Sequence, residues 1–319
     1  MKEKIYIGSY SDNIKICELD DSKLKIINEI KTTMNPSYLQ INNGFLYAVS
    51  EQEVGAISSF EIDKNNVKIL NVKKINQSLP CYITTNSNRD KLLVANYESG
   101  SIIVYQIKKN GSIGRRKGIK KYNNSNMHFA EFIGDNIYAI DLGKDAIYIY
   151  NLKMQLISQI DMNRNCGPRH MVMSKDENIM YVVTELSNQI LVYKKNDNKF
   201  DLIQEISTLP DESIESYAGA IRISRDNKNI YVTNRGHNSI SVFSILKRGL
   251  KFVQNIPSYG DFPRDILLNE SEEYAIVANQ KSNNVIVYKR NIKNGILSKI
   301  DGEVKMEKPS CIVRSKYEI

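Results

Sequence analysis

Cysteine is scarce in this 319-residue sequence: Cys17, Cys81, Cys166 and Cys311 are its four copies, and no two form a CxxC pair. Such scattering suggests neither a zinc site nor a disulfide framework, so they read as reduced thiols. No run of about 18 apolar residues occurs, which leaves no candidate transmembrane helix. The chain opens MKEKIYIGSY and enters a strand pattern at once, without the basic-then-apolar composition of a secretory leader. A soluble, cytoplasmic protein is expected. A 3.6-residue apolar stripe is also missing, which argues against helical repeats. Histidine is rarer than cysteine, with only His128, His170 and His237.

The 41% hydrophobic and 25% charged residues exclude a disordered chain and suffice for a sizeable core. A net charge of +8 and a pI near 9.0 favour anionic partners. Nucleic acid, a membrane surface or a small phosphorylated or carboxylated substrate would all fit, and so would a lysine-rich surface with no ligand. The clusters Arg115-Arg116-Lys117 and Lys120-Lys121 lack the interleaved aromatics of a nucleic-acid platform and read as solvated loop. The expected partner is a small anion, with no nucleic acid and no membrane.

One phrase, a β-rich run, a polar turn and a second β-rich run, recurs seven times. KLLVANYESGSIIVYQI from Lys91, NIYAIDLGKDAIYIYNL from Asn136 and NIYVTNRGHNSISVFSI from Asn229 are three of the copies. The first polar residues of the turns are Ser9, Ser50, Asn96, Asp141, Thr184, Asn234 and Asn279, in steps of 41 to 50 residues. That period, carried by β-branched and aromatic residues, is produced by four-stranded propeller blades. A second phrase opens each unit: NPSYLQI at Asn35, LPCYITT at Leu79, NMHFAEF at Asn126, GPRHMVM at Gly167, YAGAIRI at Tyr217, FPRDILL at Phe262 and KPSCIVR at Lys308. Five of these carry proline near the start, where a strand tolerates its missing N–H. The last opener ends the chain, and the first β-turn-β phrase has no opener before it. One blade is therefore shared, with about Pro309 to Arg314 as the innermost strand beside three N-terminal strands, leaving no open edge at the seam. The expectation is an all-β, seven-bladed β-propeller of four-stranded blades, forming one domain over residues 1–319.

In such a blade the start of strand A and the end of strand B are neighbours, so openers and polar turns gather at one mouth of a central channel, where chemistry is to be sought. All three histidines fall there. His128 and His170 lie in the openers of blades 3 and 4, and His237 lies in the B–C turn of blade 5. Arg169 and Arg264 join them from openers, Arg235 from the turn NRGH, and Asp141, Glu185, Glu51 and Asp265 add carboxylates. A basic centre with a few acids suits an anionic, oxygen-rich small molecule. The bland alternative is that these groups tie blades together by hydrogen bonds, above all His170, His237 and Asp265. Asn96, Asn234 and Asn279 read as turn caps, and Tyr38 and Tyr82 as candidates for the pocket wall. Neither Cys81 nor Cys311 has an adjacent histidine or acid to activate it. Three histidines could ligate zinc, but neighbouring arginines disfavour a second cation, so no metal and no cofactor are expected.

With these residues named, the chain resembles the lactonase family of seven-bladed propellers, the bacterial 6-phosphogluconolactonases related to fungal carboxy-cis,cis-muconate cyclase. NPSYL, GAISSF, LLVANYESGSI, DLG, GPRHM, TEL, ISTLP, TNRGHNSI, FPRD and VANQKSNNV stand in that family's order over nearly the whole chain. The resemblance implies a catalytic set of His128, Arg169, Glu185 and Arg235. It implies hydrolysis of a sugar lactone, 6-phosphogluconolactone of the pentose phosphate pathway before others. Two positions depart from the family pattern: its HAH is Asn126-Met127-His128 here, and its asparagine before Glu185 is Thr184. In this reading His128 is the base, Arg169 and Arg235 hold the oxyanion or a phosphate, and Glu185 orients a group or passes a proton. His170, His237, Arg264 and Asp141 are expected to bind substrate. A cyclase running the same residues, or a non-catalytic scaffold of the kind that shares the string Tyr231-Val-Thr-Asn234, are the competing expectations.

Overall fold

The computed structural model describes residues 2–63, 66–197, 199–211 and 213–315, and among them every regular element is a strand. The N-terminal strands are β1 (Glu3–Ser9), β2 (Asn13–Asp20) and β3 (Lys23–Lys31). Blade 1 follows as β4 (Leu39–Asn42), β5 (Phe45–Ser50), β6 (Ala56–Asp63) and β7 (Asn66–Lys74). Blade 2 is β8 (Pro80–Thr85), β9 (Lys91–Asn96), β10 (Ser101–Ile107) and β11 (Ile113–Lys121). Blade 3 is β12 (Met127–Ile133), β13 (Asn136–Asp141), β14 (Ala146–Asn151) and β15 (Leu156–Asp161). Blade 4 is β16 (Pro168–Met173), β17 (Ile179–Thr184), β18 (Gln189–Asn196) and β19 (Lys199–Ser207). Blade 5 is β20 (Tyr217–Ile223), β21 (Asn229–Arg235), β22 (Ser239–Ile245) and β23 (Leu250–Pro257). Blade 6 is β24 (Pro263–Leu268), β25 (Tyr274–Asn279), β26 (Asn284–Arg290) and β27 (Leu297–Lys305), and β28 (Pro309–Arg314) ends the series.

These strands make seven four-stranded sheets, and the terminal sheet has the order β28-β1-β2-β3. The C-terminal opener thus completes the N-terminal sheet, as the unpaired last opener required. By packing, the chain divides into two compact units, one dominated by residues 164–312 and the other by residues 26–163. The first contains blades 4, 5 and 6, and the second contains blades 1, 2 and 3.

The second and third strands carry apolar side chains where neighbouring sheets pack on them. Val183, Val192, Ile221 and Val232 close the space between blades 4 and 5, Val242, Ile266, Val277 and Ile286 that between blades 5 and 6, and Val49, Ile83, Val94 and Ile103 that between blades 1 and 2. Each such side chain contributes about 1.5–3 kcal/mol on removal from water. The fourth strands face water on one side and alternate, as in Leu156–Asp161 and Lys199–Ser207. Arg115, Arg116, Lys117, Lys120 and Lys121, read above as loop, belong to such a strand, β11. Half-solvated outer strands tolerate charge, so composition there imitates a loop.

Neighbouring fourth strands are riveted by side-chain amides. Gln204 donates to the carbonyl of Leu250 at 2.9 Å and accepts its N–H at 2.6 Å. Gln254 repeats this on Leu297, at 2.8 and 2.9 Å, and Asn71 on Ile113, at 3.0 and 2.9 Å.

One backbone device sets the functional residues. In the first-to-second strand pairs of blades 2, 3, 4 and 6, the register slips by one residue just after the strand begins, and in blade 5 it slips nearby. The residue left unpaired is Cys81, His128, Arg169 or Arg264, with Gly219 the counterpart in blade 5. A bulge of this kind re-aims a side chain that the ladder would otherwise alternate. In all five proline openers the residue before proline has positive φ: Asn35, Leu79, Gly167, Phe262 and Lys308. The entry into the strand is therefore a left-handed step, a proline and a bulge.

Candidate active site

Arg169, the bulged residue of β16, is 3% exposed, and Arg235, which ends β21, is 4% exposed. Two guanidinium groups this deep need acceptors, and the fold supplies them from the backbone. Arg235 Nε donates to the carbonyl of Tyr217 at 2.9 Å and Nη2 to that of Ala218 at 2.8 Å. Arg169 Nη1 donates to the carbonyl of Gly219 at 2.9 Å. Three consecutive carbonyls of the blade 5 opener thus hold both arginines.

Between them lies Glu185, the first residue after β17. Its Oε2 is 2.8 Å from Arg235 Nη2 and 3.1 Å from Arg169 Nε. Burial opposes ionisation of this carboxyl, but Arg235 and Arg169 outweigh it and hold its pKa below the ordinary range. Glu185 is therefore a carboxylate at neutral pH, suited to orienting the arginines and poorly suited to carrying a proton. The same packing pushes Arg235 down to about 9, chiefly by burial and then by the Arg169 charge, which leaves it cationic at neutral pH. Thr184 secures the turn that presents Glu185, with Oγ1 2.7 Å from Ser187 Oγ and accepting the N–H of Gln189 at 3.0 Å.

Arg264, the bulged residue of β24, adds a third positive charge felt by both Glu185 and Arg235. It donates to Gln280 Oε1 at 3.4 Å. The acceptors and donors around Nε and Nη2 of Arg235 are filled, while Nη1 has no protein acceptor among the described residues. The result is a cluster of two arginines paired with one glutamate, with the charge of Arg264 acting on both partners.

The other expected residues divide. His170 is 3% exposed, with its ring nitrogens 3.3 and 3.5 Å from Arg169 Nη1, so it belongs with the cluster. His237 Nδ1 is 2.8 Å from Ser239 Oγ within its own turn. Asp265 is a structural tie: it pairs with Arg222 at 2.6 Å and accepts the N–H of Ile312 at 2.9 Å. Asp141 is fully buried and accepts from Ser125 Oγ at 2.6 Å, Asn126 N at 2.9 Å and Lys144 N at 3.1 Å. A carboxylate so engaged caps a turn, as Asn96 does at the same register through Ser101. His128 belongs to the unit of blades 1 to 3, where its ring meets Tyr97 edge-on at 5.8 Å and is 8% exposed. Beside it the thiol of Cys81 donates to the carbonyls of Met127 and His128 at 3.5 Å, which occupies that cysteine structurally.

Gly219 escaped the sequence reading. A Cβ on it would lie 2.5 Å from Thr233 Oγ1, 3.2 Å from the carbonyl of Pro263 and 3.4 Å from Arg235 Nε. Glycine is needed there so that Arg235 can pass over the strand. Aligning the openers exposes the signal, since Gly219 is their one glycine at the bulge position. Phe262 was missed as well: its ring centroid is 5.3 Å from Arg235 Cζ.

Comparison with known proteins converges on one family. The model of the family "Lactonase, 7-bladed beta-propeller" matches residues 4–314. A 6-phosphogluconolactonase of Bacillus subtilis is 30% identical, covering 96% of this chain and 97% of that protein. A crystal structure from Lactobacillus plantarum superposes with a TM-score of 0.94 at 30% identity, covering 99% of this chain and all of that one. A periplasmic gluconolactonase of Pseudomonas aeruginosa shares the fold at 23% identity, with a TM-score of 0.92 over 98% of this chain and 99% of its own. No helix among the described residues is long and apolar enough to cross a membrane. Seven four-stranded sheets, the closing C-terminal strand and these matches make the chain a member of the seven-bladed β-propeller lactonase family.

Proposed function

We propose that the protein hydrolyses a sugar lactone and that 6-phosphogluconolactone is its substrate. The observation that carries this reading is the pair of buried arginines sharing Glu185, with Arg235 Nη1 holding no acceptor among the described residues. Water attacks the lactone carbonyl carbon, the carbonyl oxygen becomes an oxyanion, and the ring C–O bond then breaks. Fixed donors aimed at that oxygen act without reorganising during the reaction, and removing one typically costs about 10²–10³-fold in rate. Arg235 and Arg169 fill this role, and Glu185 keeps their planes fixed.

His128 is the base in this reading. It takes one proton of the attacking water and returns it to the departing ring oxygen, so the products are a free hydroxyl and a carboxylic acid, which ionises by releasing its proton to solvent. Such catalysis contributes about 10²–10⁴-fold, which suffices for an already reactive ester without a covalent intermediate. The name borne by the Bacillus subtilis relative over nearly its whole length supports the phosphorylated substrate.

The test is the rate of hydrolysis of 6-phosphogluconolactone above its spontaneous opening, with the unphosphorylated lactone as control. Faster turnover of the phosphorylated compound is expected. Equal rates remove the phosphate from the assignment, and no acceleration of either removes the hydrolase.

A further inference from the structure

Resting on that hydrolase reading, we propose that Phe262, Arg264 and Lys281 form the subsite for the substrate's second anionic group, a phosphate monoester. The Lys281 ammonium lies 4.1 Å from the Phe262 ring centroid, and Arg235 Cζ lies 5.3 Å from the same centroid. These two distances put the exposed ammonium no more than 9.4 Å from the guanidinium carbon of the oxyanion donor. Arg264 joins them through Gln280, the residue before Lys281, whose Oε1 accepts from Arg264 Nη1 at 3.4 Å. Cations beside an aromatic face are held in place by the ring quadrupole, which is how Phe262 can fix two of them at a set spacing.

The spacing suits the ligand. In 6-phosphogluconolactone the carbonyl carbon and the phosphorus are joined through the ring oxygen, C5, C6 and the ester oxygen, a separation of at most about 6 Å by standard bond lengths. That separation lies inside the 9.4 Å bound between the Lys281 ammonium and the Arg235 guanidinium carbon. Neighbouring acids are diverted: Asp261 accepts from Asn238 Nδ2 at 2.9 Å, and Glu215 from the Tyr217 hydroxyl at 2.6 Å.

The subsite is also rigid. Gln280 N–H donates to the carbonyl of Phe262 at 3.0 Å, Lys281 N–H to that of Asp261 at 3.0 Å, and Asp261 N–H to Ser282 Oγ at 2.7 Å. Asn238 Oδ1 accepts the N–H of Phe262 at 2.8 Å from the neighbouring blade. Phe262 takes φ +65°, a region that costs a bulky residue about 1–2 kcal/mol. The same step is made by Asn35, Leu79, Gly167 and Lys308 in the other proline openers. Phe262 is the one aromatic among these five residues, and its ring lies beside both cations. Positioning made in advance lowers the ordering cost of binding.

Titration calorimetry with 6-phosphogluconate and gluconate on the full-length protein tests the subsite without turnover. The wild type is expected to prefer the phosphorylated ligand, Lys281→Met to lower that preference about tenfold, and Lys281→Glu to lower it further. Lys247→Met, on an exposed turn of blade 5, serves as the charge control and is expected to keep the preference. An unchanged preference in Lys281→Met, or an equal loss in Lys247→Met, overturns the subsite even if both lactones are hydrolysed. A wild type that hydrolyses neither lactone overturns the functional reading, and the calorimetry still decides the subsite.

Discussion

Blades 1 to 3 and blades 4 to 6 enter their first strands in the same way and place different chemistry there. At the bulge position the first set carries Ser37, Cys81 and His128, and the second carries Arg169, Gly219 and Arg264. One residue further on, Tyr38, Tyr82 and Phe129 form an aromatic ladder, with centroids 4.3 and 4.5 Å apart. The matching positions in the second set are His170, Ala220 and Asp265. A repeated backbone therefore fixes where a side chain is aimed and leaves its chemistry open. In the cationic set the carbonyls of Tyr217, Ala218 and Gly219 hold guanidinium groups. In the aromatic set ring contacts join the corresponding strands, and Cys81 and His128 occupy the bulges.

The comparison breaks most sharply at His128. His128→Asn is expected to lower kcat on the preferred lactone by about 10²–10⁴ while leaving the melting temperature nearly unchanged, as initial rates and thermal denaturation would show. A retained rate would place the base elsewhere. Arg235→Met is expected to cost about 10²–10³ in kcat/KM, because the donor edge is lost while Arg169 still balances Glu185. In the aromatic set Tyr82→Ala should act on stability instead, by about 3 kcal/mol, read as a lowered urea midpoint.

How far these residues could be found without coordinates differs by element. The inner strands were legible because LLVAN, IYAID and YAIVAN are apolar on both faces and recur at blade spacing. The closing strand followed from an opener with nothing after it, and β28 (Pro309–Arg314) has the expected bounds. GPRH, TEL and NRGH led to Arg169, Glu185 and Arg235, which the fold brings into contact. Outer strands such as β11 were hidden because half-solvated strands carry the same charged residues as loops. Asp141 was misleading because a polar residue ending a second strand can face a ligand or cap its own turn, and only its partners decide. Gly219 and Phe262 act by allowing a close approach and by holding cations, neither of which has a motif.

Glu185 offers a smaller, pH-dependent test of the cationic set. Its folded pKa is depressed, so its ionic contribution to stability is complete above the unfolded value of about 4.3 and is lost as pH falls through the lower folded value. Glu185→Gln is expected to cost about 2–3 kcal/mol at pH 7, with the gap to wild type narrowing as pH drops below about 4. Urea unfolding between those limits measures it. A gap that does not vary with pH would mean that packing, not charge, is what Glu185 contributes.

The subtlest test concerns Gly219 and Cys81, two of the bulge positions that carry no charge. Gly219→Ala puts a methyl 2.5 Å from Thr233 Oγ1, which already accepts the N–H of Ala220 at 2.9 Å. Thr233 is fully buried and cannot swing away, so the strain passes to Arg235 Nε and to the Gly219 carbonyl that holds Arg169. Overpacking of this kind costs about 1–3 kcal/mol, and a sub-ångström shift of both arginines should lower kcat/KM about tenfold. Cys81→Ala at the equivalent position removes a sulfur and adds nothing, so its cost should stay within about 1 kcal/mol with the rate unchanged. Combining Gly219→Ala with Thr233→Ala clears the nearest obstruction and should recover part of the lost rate. If it recovers stability but not rate, the arginines are misplaced through the carbonyl and not through Thr233.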